Sequence, residues 1–158
     1  MSEDVFPALP DLPVVVAEYL VKLATKEGVG SPPWEFGGLP ASARAGVLEW
    51  LDGVARWLNH AYAWQPEQVI PPCWAQHPGL ALDLAGLAFA RLDLAREPAG
   101  SAVVWHERYE RALTRWNTAL GRSGNDCRAG QHEHRPARVV MAAWGTPRTH
   151  STEDAVRT

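Results

Sequence analysis

The chain has 158 residues, 46% of them hydrophobic, which is enough for one domain with a real core, too few for two comfortable ones, and too apolar for a disordered segment. Its net charge is −3 and its sequence pI is near 6.0, a balance that argues against strong nucleic-acid binding. No apolar run approaches the roughly 18 residues that a membrane helix needs, so no span is expected.

The acidic start Ser2-Glu3-Asp4 lacks the basic and then apolar pattern of a secretory signal. Two cysteines, Cys73 and Cys127, are too few for a disulfide scaffold, so a reducing cytoplasm is the expected compartment. Eight tryptophans bring large apolar area with one N–H donor each, which suits a core or a partner surface.

Residues 1–11, with Pro7 and Pro10, read as a flexible lead-in. Asp11 then stands as a cap before Leu12-Pro13, and Val16, Tyr19, Leu20, Leu23 and Ala24 recur at helical spacing until Gly28. Residues 28–40 are a Gly- and Pro-rich loop that Trp34 and Phe36 would pin to the core. Residues 41–63 form the clearest helix, capped by Ser42. Val47, Leu51, Val54, Leu58 and Ala61 make its stripe, and Trp50, Trp57 and Trp64 repeat every seven residues beside it.

The block Ile70-Pro71-Pro72-Cys73-Trp74-Ala75-Gln76-His77-Pro78 cannot be helical throughout and reads as a rigid loop. Pro78 fits the first turn of a Leu-rich helix running to about Arg96, which Glu97-Pro98-Ala99-Gly100 stops. Ser101 would cap a fourth helix carrying Trp105, Tyr109, Ala112, Trp116 and Ala119 on its core face and ending at Gly121. After it the chain turns polar. Residues 122–144 read as a Cys/His-containing extension packed on the 12–121 helical domain, with Val139–Trp144 as a strand or an apposed apolar segment. Residues 145–158 read as a disordered tail.

The expected fold is therefore all-α: a compact, single-domain antiparallel bundle of about four helices with an irregular Pro-rich loop. Trp50, Trp57, Trp74, Trp105, Tyr109 and Trp116 are its expected core aromatics.

Two constellations carry chemistry. Cys73 and His77 are separated by three residues, and Cys127 and His132 (or His134) by four or six. Two Cys and two His in short pairs on bendable loops are what tetrahedral zinc accepts. The competing explanation is a buried cysteine with a neighbouring histidine cap and a solvated His-rich tail. Cys73 as a nucleophile, with His77 or His106 as base, lacks a Gly-rich oxyanion turn. His106-Glu107 lacks a second histidine one turn away, and phosphate-loop and dinucleotide fingerprints are absent.

The second constellation is basic. Residues 1–100 carry 6 basic and 12 acidic side chains, while residues 101–158 carry 9 and 6. Arg108, Arg111, Arg115, Arg122 and Arg128 head this C-terminal run, as contacts for a partner or for phosphate. Arg135 and Arg138 extend it.

Val69-Ile70-Pro71-Pro72-Cys73-Trp74, His77-Pro78, the Leu-rich helix, Trp105-His106-Glu107-Arg108 and Cys127 with His132 together resemble an uncharacterised actinobacterial domain family, over roughly residues 45–135. Its members are often encoded on plasmids and integrative or conjugative elements. The resemblance implies mobile-element biology and supplies no mechanism. The functional expectation is a non-enzymatic accessory or interaction protein with an unknown protein partner, using the Arg-rich surface and the Trp144 segment. A nucleic-acid-binding accessory domain is the alternative, and a zinc-stapled structural domain the third.

Overall fold

The computed structural model describes residues 6–25 and 30–132. Gly28, His134, Arg135, Arg138, the Val139–Trp144 run and the C-terminal tail lie outside them. Among the described residues five α-helices follow in order: α1 (Val14–Ala24), α2 (Ala41–Tyr62), α3 (Pro78–Asp93), α4 (Ala99–Leu120) and the short α5 (Gly124–Arg128). Single 3₁₀ turns stand at Phe36–Gly38, Pro66–Gln68, Trp74–Gln76, Leu94–Arg96 and Gly121–Ser123. No strand occurs among the described residues, and the all-α expectation holds. None of the described helices is long and apolar enough to cross a membrane.

Helix starts differ from the expectation in one consistent way. Asp11, Ser42 and Ser101 do not cap; Pro13, Pro40 and Pro98 hold the N-cap positions, without a side-chain cap bond. The reason is the proline ring. It fixes φ near −57°, and with ψ near 143° at Pro13 the chain is extended up to that residue and helical after it. The proline carbonyl then accepts the first helical bonds, from Arg44 N to Pro40 O (2.9 Å) and from Ser101 N to Pro98 O (2.8 Å). Pro78 takes the first turn of α3 as its sequence position predicts.

α1 packs on α2, α2 on α3 and α3 on α4. Val47, Leu51, Val54 and Leu58 of α2 are 1% exposed or less, as their stripe predicts. Each fully buried leucine such as Leu51, Leu58 or Leu84 contributes about 1.5–3 kcal/mol relative to an exposed position. Gly46 permits the α1–α2 contact: a Cβ there would stand 2.6 Å from Val15 Cγ1 and 3.0 Å from Val16 Cγ2.

Trp50, Trp57, Trp74, Trp105 and Trp116 turn inward with their N–H groups satisfied, as amphipathic aromatics require, while Trp34 is 42% exposed. Trp105 donates to Leu87 O (2.9 Å), Trp116 to Asp83 Oδ2 (3.1 Å) and Trp74 to Asp52 Oδ1 (3.4 Å). Trp50 donates to Pro10 O (2.9 Å) and Trp57 to Pro7 O (2.8 Å). These last two bonds tie the chain before α1 to the flank of α2, so residues 7–10 are anchored where a loose lead-in was expected. Trp57 is half-buried, and Trp64, beyond the end of α2, is 88% exposed, so the seven-residue repeat leaves the core at its last member.

Candidate metal centre

The Pro-rich loop is held from two sides. Asn59 of α2 donates to Ile70 O (3.0 Å) and accepts from Ile70 N (2.7 Å), replacing the pairing that this backbone lacks inside a helix or sheet. Arg128 of α5 donates from Nε to Val69 O (3.0 Å) and from Nη2 to Glu67 O (2.9 Å), and also bonds Asn117 Oδ1. The loop then folds into the Trp74–Gln76 turn, with Trp74 buried as its plug. Cys73 precedes that turn and His77 follows it, so both side chains present on one side.

The partner pair comes from α5. Its end is a Schellman motif: Gly130 N donates to Cys127 O (3.1 Å) and Gln131 N to Asp126 O (2.7 Å), with Gly130 at φ 79°. That left-handed residue reverses the chain and returns His132 to Cys127.

The four residues meet. Cys73 Sγ stands 3.4 Å from His77 Nε2, Cys127 Sγ 3.6 Å from the same nitrogen, and Cys127 Sγ 3.6 Å from His132 Nδ1. The two imidazoles are edge to face at 4.8 Å. All four ligand atoms lie within 4.8 Å of one another, close enough to hold a metal ion. In tetrahedral zinc, with bonds of about 2.3 Å to sulfur and 2.0–2.1 Å to nitrogen, a sulfur and a nitrogen are about 3.6 Å apart and two sulfurs about 3.8 Å. The observed sulfur–nitrogen separations match that edge length.

Both cysteines are buried and unbridged, and both histidines are half-buried. Burial pushes the Cys73 thiol up to about 11, with the adjacent Cys127 adding to it. That is the reverse of an activated nucleophile, whose thiolate is stabilised. Burial, and then neighbouring His132, lower His77, which keeps its lone pair free at neutral pH. His132 Nε2 is buried and has no hydrogen-bond partner among the described residues. His106, the other candidate base, is on α4 and faces Tyr62 instead (Oη to Nε2, 3.1 Å).

The arginine set divides. Arg128 is half-buried and turned inward as the brace of the loop, so its guanidinium is committed to protein carbonyls and is no free phosphate contact. Arg115 pairs with Asp83 (2.9 Å) and Arg111 with Glu107 (3.6 Å), both on the surface. Arg108 is exposed without a carboxylate partner among the described residues, and Arg122 is exposed beyond α4. Asn59 and Asp83 are the organising residues that sequence reasoning passed over. The one available signal was an amide and a carboxylate next to the apolar stripes of their helices. No known protein family, no curated protein and no solved structure matches this chain.

Proposed function

We propose that this chain is a zinc-stapled helical interaction domain, in which Cys73, His77, Cys127 and His132 together hold one Zn²⁺. The convergence of these four ligand atoms, from two segments with Cys127 and His77 fifty residues apart, carries the reading. Two thiolates neutralise the dication and two neutral imidazoles complete the shell, which suits a buried position. Mixed sulfur and nitrogen donors favour zinc; a two-iron cluster held by two Cys and two His puts each pair on a separate iron, whereas all four ligand atoms here lie within 4.8 Å of one another, as around one ion.

Four protein ligands leave no position for a substrate or an activated water, so the role of the ion is structural rather than catalytic. The ion fastens α5 to the Pro-rich loop and supports a non-enzymatic protein. Its place among mobile-element accessory proteins rests on the resemblance of the Pro-Pro-Cys-Trp loop with its His-Pro end. The nucleic-acid alternative draws less support, because Arg128 and Arg115 are already engaged.

Untagged protein purified without chelator from zinc-supplemented cells should carry about one equivalent of zinc by mass spectrometry of the metal. Cys127→Ser should lose it, while His60→Ala, an exposed residue outside the cluster, should keep it. Less than about a tenth of an equivalent in the unaltered chain overturns the reading.

A further inference from the structure

Cys73 and Cys127 are the chain's two cysteines, and they reach one place from separate segments. Both sulfurs face His77 Nε2, at 3.4 and 3.6 Å, and they stand no more than 4.8 Å from each other without a bridge. Within the chain each thiol has the other as its one disulfide partner. Burial narrows the choice again. Cys73 is 7% exposed and Cys127 2%, so a second copy or a bulky thiol is too large to reach either sulfur, whereas a molecule little larger than water needs far less room.

The two elements that carry the sulfurs are held unequally. Cys73 precedes the Trp74–Gln76 turn, whose loop is fixed at Ile70 by Asn59 and plugged by buried Trp74. Cys127 rides on five-residue α5, which buries no large side chain. A small shift of α5 toward the loop therefore closes the gap from 4.8 Å or less to the disulfide length of about 2.05 Å.

We infer that Cys73 and Cys127 are a peroxide-sensitive pair, whose disulfide binds α5 to the Pro-rich loop in place of an ion. Displacement of the ion rests on the metal reading above, while the pairing of the sulfurs rests on the geometry. A bound ion keeps both sulfurs as thiolates, the form that peroxide attacks. Cys73, the more exposed, attacks a peroxide oxygen; the O–O bond breaks, hydroxide leaves and a sulfenic acid remains. Cys127 attacks that sulfur, the S–S bond forms and a second hydroxide leaves. Each sulfur gives up one electron, the peroxide takes both, and two protons from solvent turn the hydroxides into water. Because the second sulfur is already within 4.8 Å, this step outruns attack by another peroxide molecule, and the sulfinic acid does not accumulate.

Disulfide and ion exclude each other. Around zinc the two sulfurs are about 3.8 Å apart and each carries the negative charge that binds the ion. In the disulfide they are about 2.05 Å apart and neutral. His77 and His132 are then two of the four ligands, and Zn²⁺ leaves with its charge unchanged. The oxidant is thereby converted into free zinc while α5 stays attached, and a dithiol reductant returns the sulfurs to the metal-binding form.

The test is hydrogen peroxide applied to the unaltered full chain, with its zinc measured beforehand. Free thiols are then alkylated in denaturant and the chain is digested without reduction. The digest should contain the peptide pair joined through Cys73 and Cys127, the intact monomer should weigh two hydrogens less than the reduced chain, and dithiothreitol should reverse both. About one zinc should reach a chromogenic chelator per disulfide formed. In urea, where the segments separate, the ratio of this cross-link to single-cysteine oxygen adducts should be at least about tenfold lower. Equal ratios would mean that the fold does not pair the sulfurs, and would overturn the inference. Disulfide-linked dimers or sulfinic acid in place of the internal cross-link would also overturn it, as would a cross-linked chain that keeps its zinc. A zinc-bearing chain that gives no cross-link leaves the metal reading standing and sinks the disulfide. A native chain that holds no zinc yet forms the cross-link refutes the metal reading and supports the disulfide.

Discussion

Tyr109 offers the sharpest check on the packing. Its ring is 2% exposed, stacked on Trp105 at 5.5 Å and 9°, and edge to face with Trp116 at 6.3 Å. Its hydroxyl is buried and has no hydrogen-bond partner among the described residues. Burying such a group without a partner costs about 1–3 kcal/mol. Tyr109→Phe removes that cost and keeps the ring contacts, while the void left by one oxygen returns only a few tenths of a kcal/mol, at roughly 24 cal/mol per Å³. The net expectation is a gain of about 1 kcal/mol, or about 2–4 °C in Tm for a domain of this size. Burial, and secondarily Tyr62, holds the phenol well above its ordinary value. Below about pH 10 the group is neutral in both states and its contribution is constant. Above that the unfolded chain ionises more readily than the folded one, so stability falls as pH rises, at up to about 1.4 kcal/mol per pH unit. Urea denaturation at about pH 7 and about pH 11 should therefore show the variant more stable at both, with the larger margin at high pH. A loss of stability at neutral pH would mean that the hydroxyl has an acceptor, and would refute the argument.

Two further outcomes follow from the contacts. Gly46→Ala should destabilise by about 1–2 kcal/mol despite alanine's better helix propensity, because Val16 is fully buried and cannot move aside; thermal denaturation reads this, and a stabilised variant would show that α1 is free to shift. Removing zinc with a chelator should strip hydrogen-exchange protection from residues 66–77 and 122–132 while leaving α2 and the core face of α4 protected, and uniform loss across all helices would contradict a local staple.

The helices were legible because their apolar periods are long. The α2 stripe from Val47 to Ala61 and the α4 series Trp105, Tyr109, Ala112, Trp116, Ala119 each repeat for several turns, and burial follows them until their last members, Ala61 being half-buried and Ala119 exposed. The helix starts were less legible. Ser and Asp near a helix start compete with proline for the same job, and here the fixed φ of the ring settles where the backbone changes. Each half of the metal cluster was readable as a local pair, Cys73 with His77 and Cys127 with His132. Their meeting was not, since it depends on where α5 lands relative to the loop, and no local pattern encodes that. Arg128 shows the same limit. In sequence it belongs to a basic run, yet in the fold its neighbours are the Val69 and Glu67 carbonyls, and it works as a structural donor.

α5 has only five residues, far too few for a helix to persist on its own. It buries Gly124 and Cys127 but no large side chain, so the hydrophobic effect gives it little hold. What fixes it is polar: the Arg128 bonds to the loop, the Gly130 reversal, and the thiol and imidazole atoms that face Cys73 and His77. Thiol–imidazole contacts at 3.4–3.6 Å are weak in themselves, and the burial that raises Cys73 adds a cost to any charge placed there. A divalent ion would reverse the balance, taking the thiols as thiolates and replacing three weak contacts with four bonds. Two cysteines and two histidines around so slight a helix, with no large apolar residue to secure it, are the arrangement that the proposed metal would hold in place.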